Sequence, residues 1–122
     1  KESQMNIKLR VKSDKNELIN ELKNSRVMLN PGHKGEVFCL AAIEAKELCL
    51  PIVTMGHGSL KERVEHGITG YIANNQSQFI DYSLDILNND ETYLKFKNNL
   101  YTKRGMRTYK NVADDLVNII TR

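Results

Sequence analysis

Two carboxylates, Glu36 and Glu44, flank the most apolar run of the sequence, Val37-Phe38-Cys39-Leu40-Ala41-Ala42-Ile43. Eight residues apart on a helix, they would stand about 12 Å apart along the axis and roughly 80° around it. In a helix over Glu36–Leu48, positions 37 to 45 are apolar on every side except at Glu44, and a helix apolar all round is expected to be buried. A carboxylate inside it is costly unless something pairs with it. The loop before it, Pro31-Gly32-His33-Lys34-Gly35, is rich in turn residues. A helix opening from such a loop presents free N–H groups and a positive dipole end, which suits a phosphate. Two carboxylates at this separation would grip both ends of an elongated ligand whose middle is a phosphate. Glu36 reads equally as an acid placed by the helix dipole alone, and Glu44 also reads as a satisfied structural residue.

Other chemical patterns are weaker. Gly56-His57-Gly58 begins like a dinucleotide fingerprint, but Lys61 occupies the third glycine position and the pattern fails. No phosphate-loop motif is present, and His33, His57 and His66 lack metal-ligand spacing. His57 lies on a loop at a strand end, within reach of a ligand or simply solvated. Ser59 sits in no nucleophile elbow. Lys95, Lys97, Lys103, Arg104, Arg107 and Lys110 form a basic tail. It reads first as a solvated helix face and second as a contact for an anionic membrane surface.

The elements that position these residues follow from periodicity. Asn6–Val11 alternates like a half-buried strand. Ser13 or Asp14 caps a helix whose stripe is Leu18, Ile19 and Leu22. Arg26–Asn30 is a short strand stopped by Pro31-Gly32. Pro51–Met55 is apolar on both faces, as a buried parallel strand is. Ser59 starts a short helix to His66, and Tyr71–Ala73 is a further strand. Ser77 caps a helix with Phe79, Ile80, Leu84 and Leu87 on one face. Glu91–Lys103 is helical, with Tyr93, Leu94, Phe96 and Leu100 apolar. A last helix over 109–120 buries Val112, Leu116, Ile119 and Ile120. Strands alternating with helices make an α/β fold with a parallel sheet, in which ligands bind at the carboxyl ends of the strands. Those ends are the loops 31–35 and 56–59.

With 122 residues and a net charge of +3, the chain is a single domain with a weak preference for anionic ligands. No aromatic-plus-basic motif marks it for nucleic acid. No apolar run reaches the ~20 residues of a membrane span. Cys39 and Cys49 on one helix would stand about 15 Å apart, beyond the ~7 Å a disulfide allows. They read as buried, reduced thiols of a cytoplasmic protein. The chain does not open on Met or on a signal peptide, so it is expected to be a piece of a longer one.

Taken in order, Glu36, Glu44-Ala45, Leu50-Pro51-Ile52-Val53, Gly58, Glu62, Gly67 and Thr69-Gly70-Tyr71-Ile72 resemble the C-terminal, donor-binding domain of the GT-B glycosyltransferases of group 1. The family pattern runs E-G-F-G-x-x-x-x-E-A, G-x-P-V-V, a G-G loop with a downstream Glu, and G-x-T-G. The resemblance spans about Ile7 to Ile120. Val37, Cys39, Cys49 and Ser59 stand where that pattern has glycine.

The resemblance implies a Rossmann-like parallel sheet flanked by helices, forming over residues 1–122 a partial nucleotide-sugar (donor) binding domain. It implies a retaining, metal-independent hexosyltransferase with no cofactor, the nucleotide-sugar being a substrate. The donor-binding residues would be Gly35, Glu36, Val37, Phe38, Cys39, Leu40, Glu44, His57 and Gly58. Glu36 would contact the hexose at the catalytic centre, and Glu44 would hold the ribose. A glycan or lipid-linked acceptor would bind a domain that this chain lacks, as it lacks the Arg and Lys that neutralise the diphosphate. The chain alone is then expected to be inactive. The other class of reading is a non-catalytic nucleotide- or protein-binding α/β module.

Overall fold

The computed structural model describes residues 7, 9, 14–35, 37–103 and 109–121, with the backbone alone at 109–112 and 115. Asp14 opens the first helix, α1 (Lys15–Lys23), by accepting the Glu17 N–H at 2.9 Å, one of the donors a helix start leaves unpaired. Then follow β1 (Met28–Leu29), α2 (Leu40–Glu47), β2 (Ile52–Thr54), α3 (Leu60–Arg63), β3 (Gly70–Ile72), α4 (Gln76–Asn88), α5 (Asp90–Lys103) and α6 (Tyr109–Ile120).

The three strands form one sheet in the order β1-β2-β3, with both pairs parallel. Met28 stands opposite Ile52, and Ile52 opposite Gly70. The central strand is buried at every position, as its unbroken apolar run requires. Its alternating side chains divide the core between two faces. Ile52 packs with Cys39, Ala42, Ala45, Leu50, Leu60 and Val64 under α2 and α3. Val53 packs with Ile86 and Phe96 under α4 and α5. Arg26 ties the entry of β1 to the second layer. Its Nε donates to the Ile86 carbonyl at 2.7 Å, its guanidinium pairs with Asp90 at 2.6 Å, and it lies 4.5 Å from the Tyr93 ring centre.

The parallel sheet flanked by helices is the expected architecture, with several local corrections. The strand expected at Asn6–Val11 falls outside the described residues, apart from the exposed Ile7 and Leu9. The central helix starts at Leu40 rather than Glu36, because Cys39 adopts a left-handed conformation (φ 55°) that no helix continues through. It is not buried all round: Ala42 and Ala45 face the core while Leu40 and Ala41 are exposed.

Asn75, not Ser77, caps α4: Asn75 accepts the Gln78 N–H at 2.9 Å and Gln78 accepts that of Asn74 at 2.8 Å. This reciprocal cap satisfies both donors. The face turned to the core therefore carries Phe79, Tyr82, Ser83 and Ile86, and leaves Ile80, Leu84 and Leu87 exposed. On α5, Phe96 and Leu100 are buried, but Leu94 is exposed. The last helix forms at the expected residues, yet Leu116, Ile119 and Ile120 are exposed rather than buried. The Val112 side chain lies outside the described residues.

Candidate functional site

The carboxyl ends of β1 and β2 lead into two loops, and hydrogen bonds stitch those loops together. The Pro31 carbonyl accepts the Met55 N–H at 3.2 Å and the Thr54 hydroxyl at 3.3 Å. The same Thr54 oxygen accepts the Gly56 N–H at 3.1 Å. Asn30 folds its own loop by accepting the Gly32 N–H at 3.1 Å, the local turn that Asn before Pro-Gly favours. At Gly32 the loops touch: a Cβ there would lie 2.8 Å from the His57 carbonyl oxygen and 2.6 Å from Leu60 Cδ1. Only glycine permits that approach.

Beyond this seam the first loop rises to the N-terminus of α2. Val37 is 86% exposed and Phe38 52%. Cys39 is buried and forms the N-cap, with no side-chain hydrogen bond to the first turn. Asn30 Nδ2 lies 3.8 Å from its sulfur. From the end of α3, Arg63 Nε donates to the Phe38 carbonyl at 3.2 Å, and its guanidinium carbon lies 4.8 Å from the Phe38 ring centre. A helix start without a side-chain cap offers its N–H groups and dipole to an anion.

The expected site residues divide by place. Gly35, Val37, Phe38, Cys39 and Leu40 lie on the first loop and the start of α2, and His57 and Gly58 lie on the second loop. His57 is exposed, and Gly58 turns its loop at φ 63°. Glu36 lies outside the described residues. Glu44 corrects the expectation of a buried carboxylate. Its side chain is 35% exposed and stands 3.8 Å from Lys15 Nζ of α1. The helix rotates it off the buried Ala42–Ala45 face, so water and a lysine meet the charge.

Asn30 and Arg63 are the residues that sequence reasoning missed. Asn30-Pro31-Gly32 carried a turn signal that pointed to the role of Asn30. Arg63 follows Lys61-Glu62 and looks like any surface cation. His66 serves the fold, its Nδ1 accepting the Ile72 N–H at 2.9 Å. Ser59 Oγ is buried with no hydrogen-bond partner among the described residues.

In the basic tail, Lys103 pairs with Glu65 at 2.8 Å, while Lys95 and Lys97 lie over the Phe96 and Tyr93 rings. Arg104, Arg107 and the Lys110 side chain lie outside the described residues. Among the described residues no three His, Cys, Asp or Glu side chains are grouped to hold a metal ion. No helix among them is long and apolar enough to cross a membrane.

A family model described as "Glycosyl transferases group 1" matches residues 2–103. Comparison with curated proteins gave no match, and neither did comparison with solved structures.

Proposed function

The chain belongs to the group 1 glycosyl transferases, and from that premise we propose that it is the donor-side part of a GT-B transferase. The reaction moves a hexose from a nucleotide-sugar to a glycan or lipid-linked acceptor, with retention and without a metal. The observation that carries this reading is the seam at Gly32–His57, which brings the uncapped α2 N-terminus and the His57-Gly58 loop to the carboxyl end of one parallel sheet. That is where ligands of such sheets sit.

In this reading the backbone at Val37–Leu40 faces the sugar and diphosphate, with Gly35, His57 and Gly58 beside it. Glu36 takes the hexose hydroxyls. Glu44 accepts from the ribose hydroxyls, exchanging its contact with Lys15 for them. Holding the departing diphosphate's charge lowers the barrier to transfer, and cations outside this chain share that task. The acceptor is held by a domain beyond this chain. The reaction is placed in the cytoplasm, with Lys95 and Lys97 of α5 available to the inner, anionic membrane face.

The contact between Glu44 and Lys15 also favours the second reading, a nucleotide- or protein-binding module in which Glu44 is structural. Glu44→Gln separates the two. A ribose-holding carboxylate should lose about ten- to a hundredfold in affinity for sugar nucleotide and free nucleoside diphosphate alike, from roughly 1.5–3 kcal/mol for a charged hydrogen bond. Its exposed ion pair contributes at most about 1 kcal/mol to stability. Calorimetric titration with UDP-glucose, GDP-mannose, ADP-glucose and their free diphosphates, beside thermal melts, decides the matter. Unchanged nucleotide binding, or unfolding of the variant, assigns Glu44 to the structure.

A further inference from the structure

Arg63 closes a helix of four residues whose first, Leu60, is fully buried in the same core cluster as Cys39 and Ala42. It is thus anchored on the floor beneath the start of α2. Among the described residues no carboxylate pairs with it. Instead it takes hold of one residue, Phe38, twice, at the carbonyl and at the ring.

The next residue, Cys39, has φ 55°. A non-glycine residue there is strained, and such strain persists only where the surroundings over-determine it. Among its surroundings Asn30 approaches the thiol and Arg63 holds the carbonyl just before it, while the side chain packs in the core. The peptide unit is planar and trans, so its C=O and N–H point in opposite directions. With the Phe38 carbonyl aimed at Arg63, the Cys39 N–H is aimed away from it. We infer that Arg63 is a positioning residue: it sets the Phe38–Cys39 peptide plane, and with it the backbone N–H groups that face the donor's sugar and diphosphate. The second half of that statement rests on the proposed function; the first half does not.

Arg63→Met removes the donor and the charge at similar length. Phe38→Leu removes the ring from an exposed position and leaves the core untouched. In the full chain, hydrogen exchange is followed at the Ala42 and Ile43 amides, which both bond to the Cys39 carbonyl, against the Leu48 amide at the far end of α2. Each variant is expected to speed exchange at Ala42 and Ile43, Arg63→Met by about tenfold, as fits loss of a charged hydrogen bond at a partly exposed site. Leu48 should not change.

Binding is measured with whichever of UDP-glucose, GDP-mannose and ADP-glucose binds tightest, and with the matching nucleoside monophosphate. Arg63→Met should weaken the sugar nucleotide about tenfold, again from one such bond, and spare the monophosphate, which lacks the sugar and second phosphate. Unchanged exchange at Ala42 and Ile43 in both variants overturns the positioning role. Parallel loss for sugar nucleotide and monophosphate shows that Arg63 only supports the fold. If no sugar nucleotide binds the unsubstituted full-length transferase, the donor-facing role fails together with the proposed function, while exchange still judges the grip on Phe38.

Discussion

Replacing Cys49 by glycine and by alanine separates backbone strain from side-chain burial at the end of α2. The helix closes with Leu48 as its C-cap, and Cys49 follows at φ 57°. The Leu50 N–H reaches back to the Ala45 carbonyl at 2.8 Å and the Cys49 N–H to that of Lys46 at 3.0 Å. That pair of bonds is the Schellman closure, and the contact of Leu50 with Ala45 in one core cluster completes it. The residue after the cap is where glycine is favoured, because a Cβ there costs roughly 1–2 kcal/mol. The resemblance puts a family glycine at this position too.

Alanine keeps the Cβ and the strain; glycine removes both. Against this, glycine loosens the unfolded chain by about 0.4–1 kcal/mol relative to alanine. The balance leaves Cys49→Gly more stable than Cys49→Ala by about 0.5–1 kcal/mol, the reverse of the order inside a helix or strand. For a chain of this size that is a difference of roughly 2–5 °C in melting temperature. Both variants lose the same buried sulfur, so its contribution cancels in the comparison. Paired thermal and urea melts read the difference. If Cys49→Ala proves the more stable, no strain is stored at Cys49 and the same argument at Cys39 falls with it.

Gly70 lies opposite Ile52 across the β2–β3 pair, and a Cβ there would collide with the Ile52 carbonyl oxygen. Gly70→Ala should therefore cost about 2 kcal/mol or more by overpacking. Gly67→Ala should cost about 1 kcal/mol for its left-handed backbone alone, since a Cβ there would have no described atom within 4 Å and φ is 77°; urea melts of the two variants test the contrast. The Tyr71 hydroxyl donates to Asp85 at 2.6 Å, and burial, reinforced by that bond, pushes the phenol from 10.0 up to about 12. Unfolded tyrosine releases its proton near 10 while folded Tyr71 holds it to about 12, so stability is full below that window and falls as pH rises through it. Tyr71→Phe should flatten this fall in melts taken across the window, and an unchanged slope would show that the shift does not arise at Tyr71.

The sheet was legible because its strands are written twice, once as apolar runs and once as the punctuation around them. Pro51–Met55 is apolar on both faces and is followed by Gly56, so only a buried strand that ends there fits. The helix faces were less legible wherever the frame depended on a cap. In α4, Ser77 and Asn75 are both good caps, and the choice between them rotates the stripe. Asn75 prevails because Gln78 closes the reciprocal bond, a pairing visible only once the loop geometry exists. In α6 the apolar residues are where periodicity puts them, but periodicity states only which residues share a face, not whether another element covers it.

The loops at the carboxyl ends of β1 and β2 were legible, while the frame of the helix that follows the first of them was not, and one physical fact accounts for the misplaced frame. Counting positions from Glu36 treated the whole run as one helix, which placed Glu44 inside the core. The run instead turns at Cys39, and the true start at Leu40 leaves Ala42 and Ala45 as the buried pair. Glu44, two positions after one and one before the other, is carried to the half-exposed side. The turn was nonetheless marked in the sequence by its chemistry rather than by its period. Cys39 and Cys49 stand where the resemblance calls for glycine, and they are the two non-glycine residues with positive φ among those described. A position can keep the backbone conformation of glycine after losing glycine itself, if its neighbours hold it there. At Cys49 the helix end does so through two backbone bonds. At Cys39 the side chains of Asn30 and Arg63 share in the hold, so the backbone geometry of this loop depends on residues outside the motif that announces it.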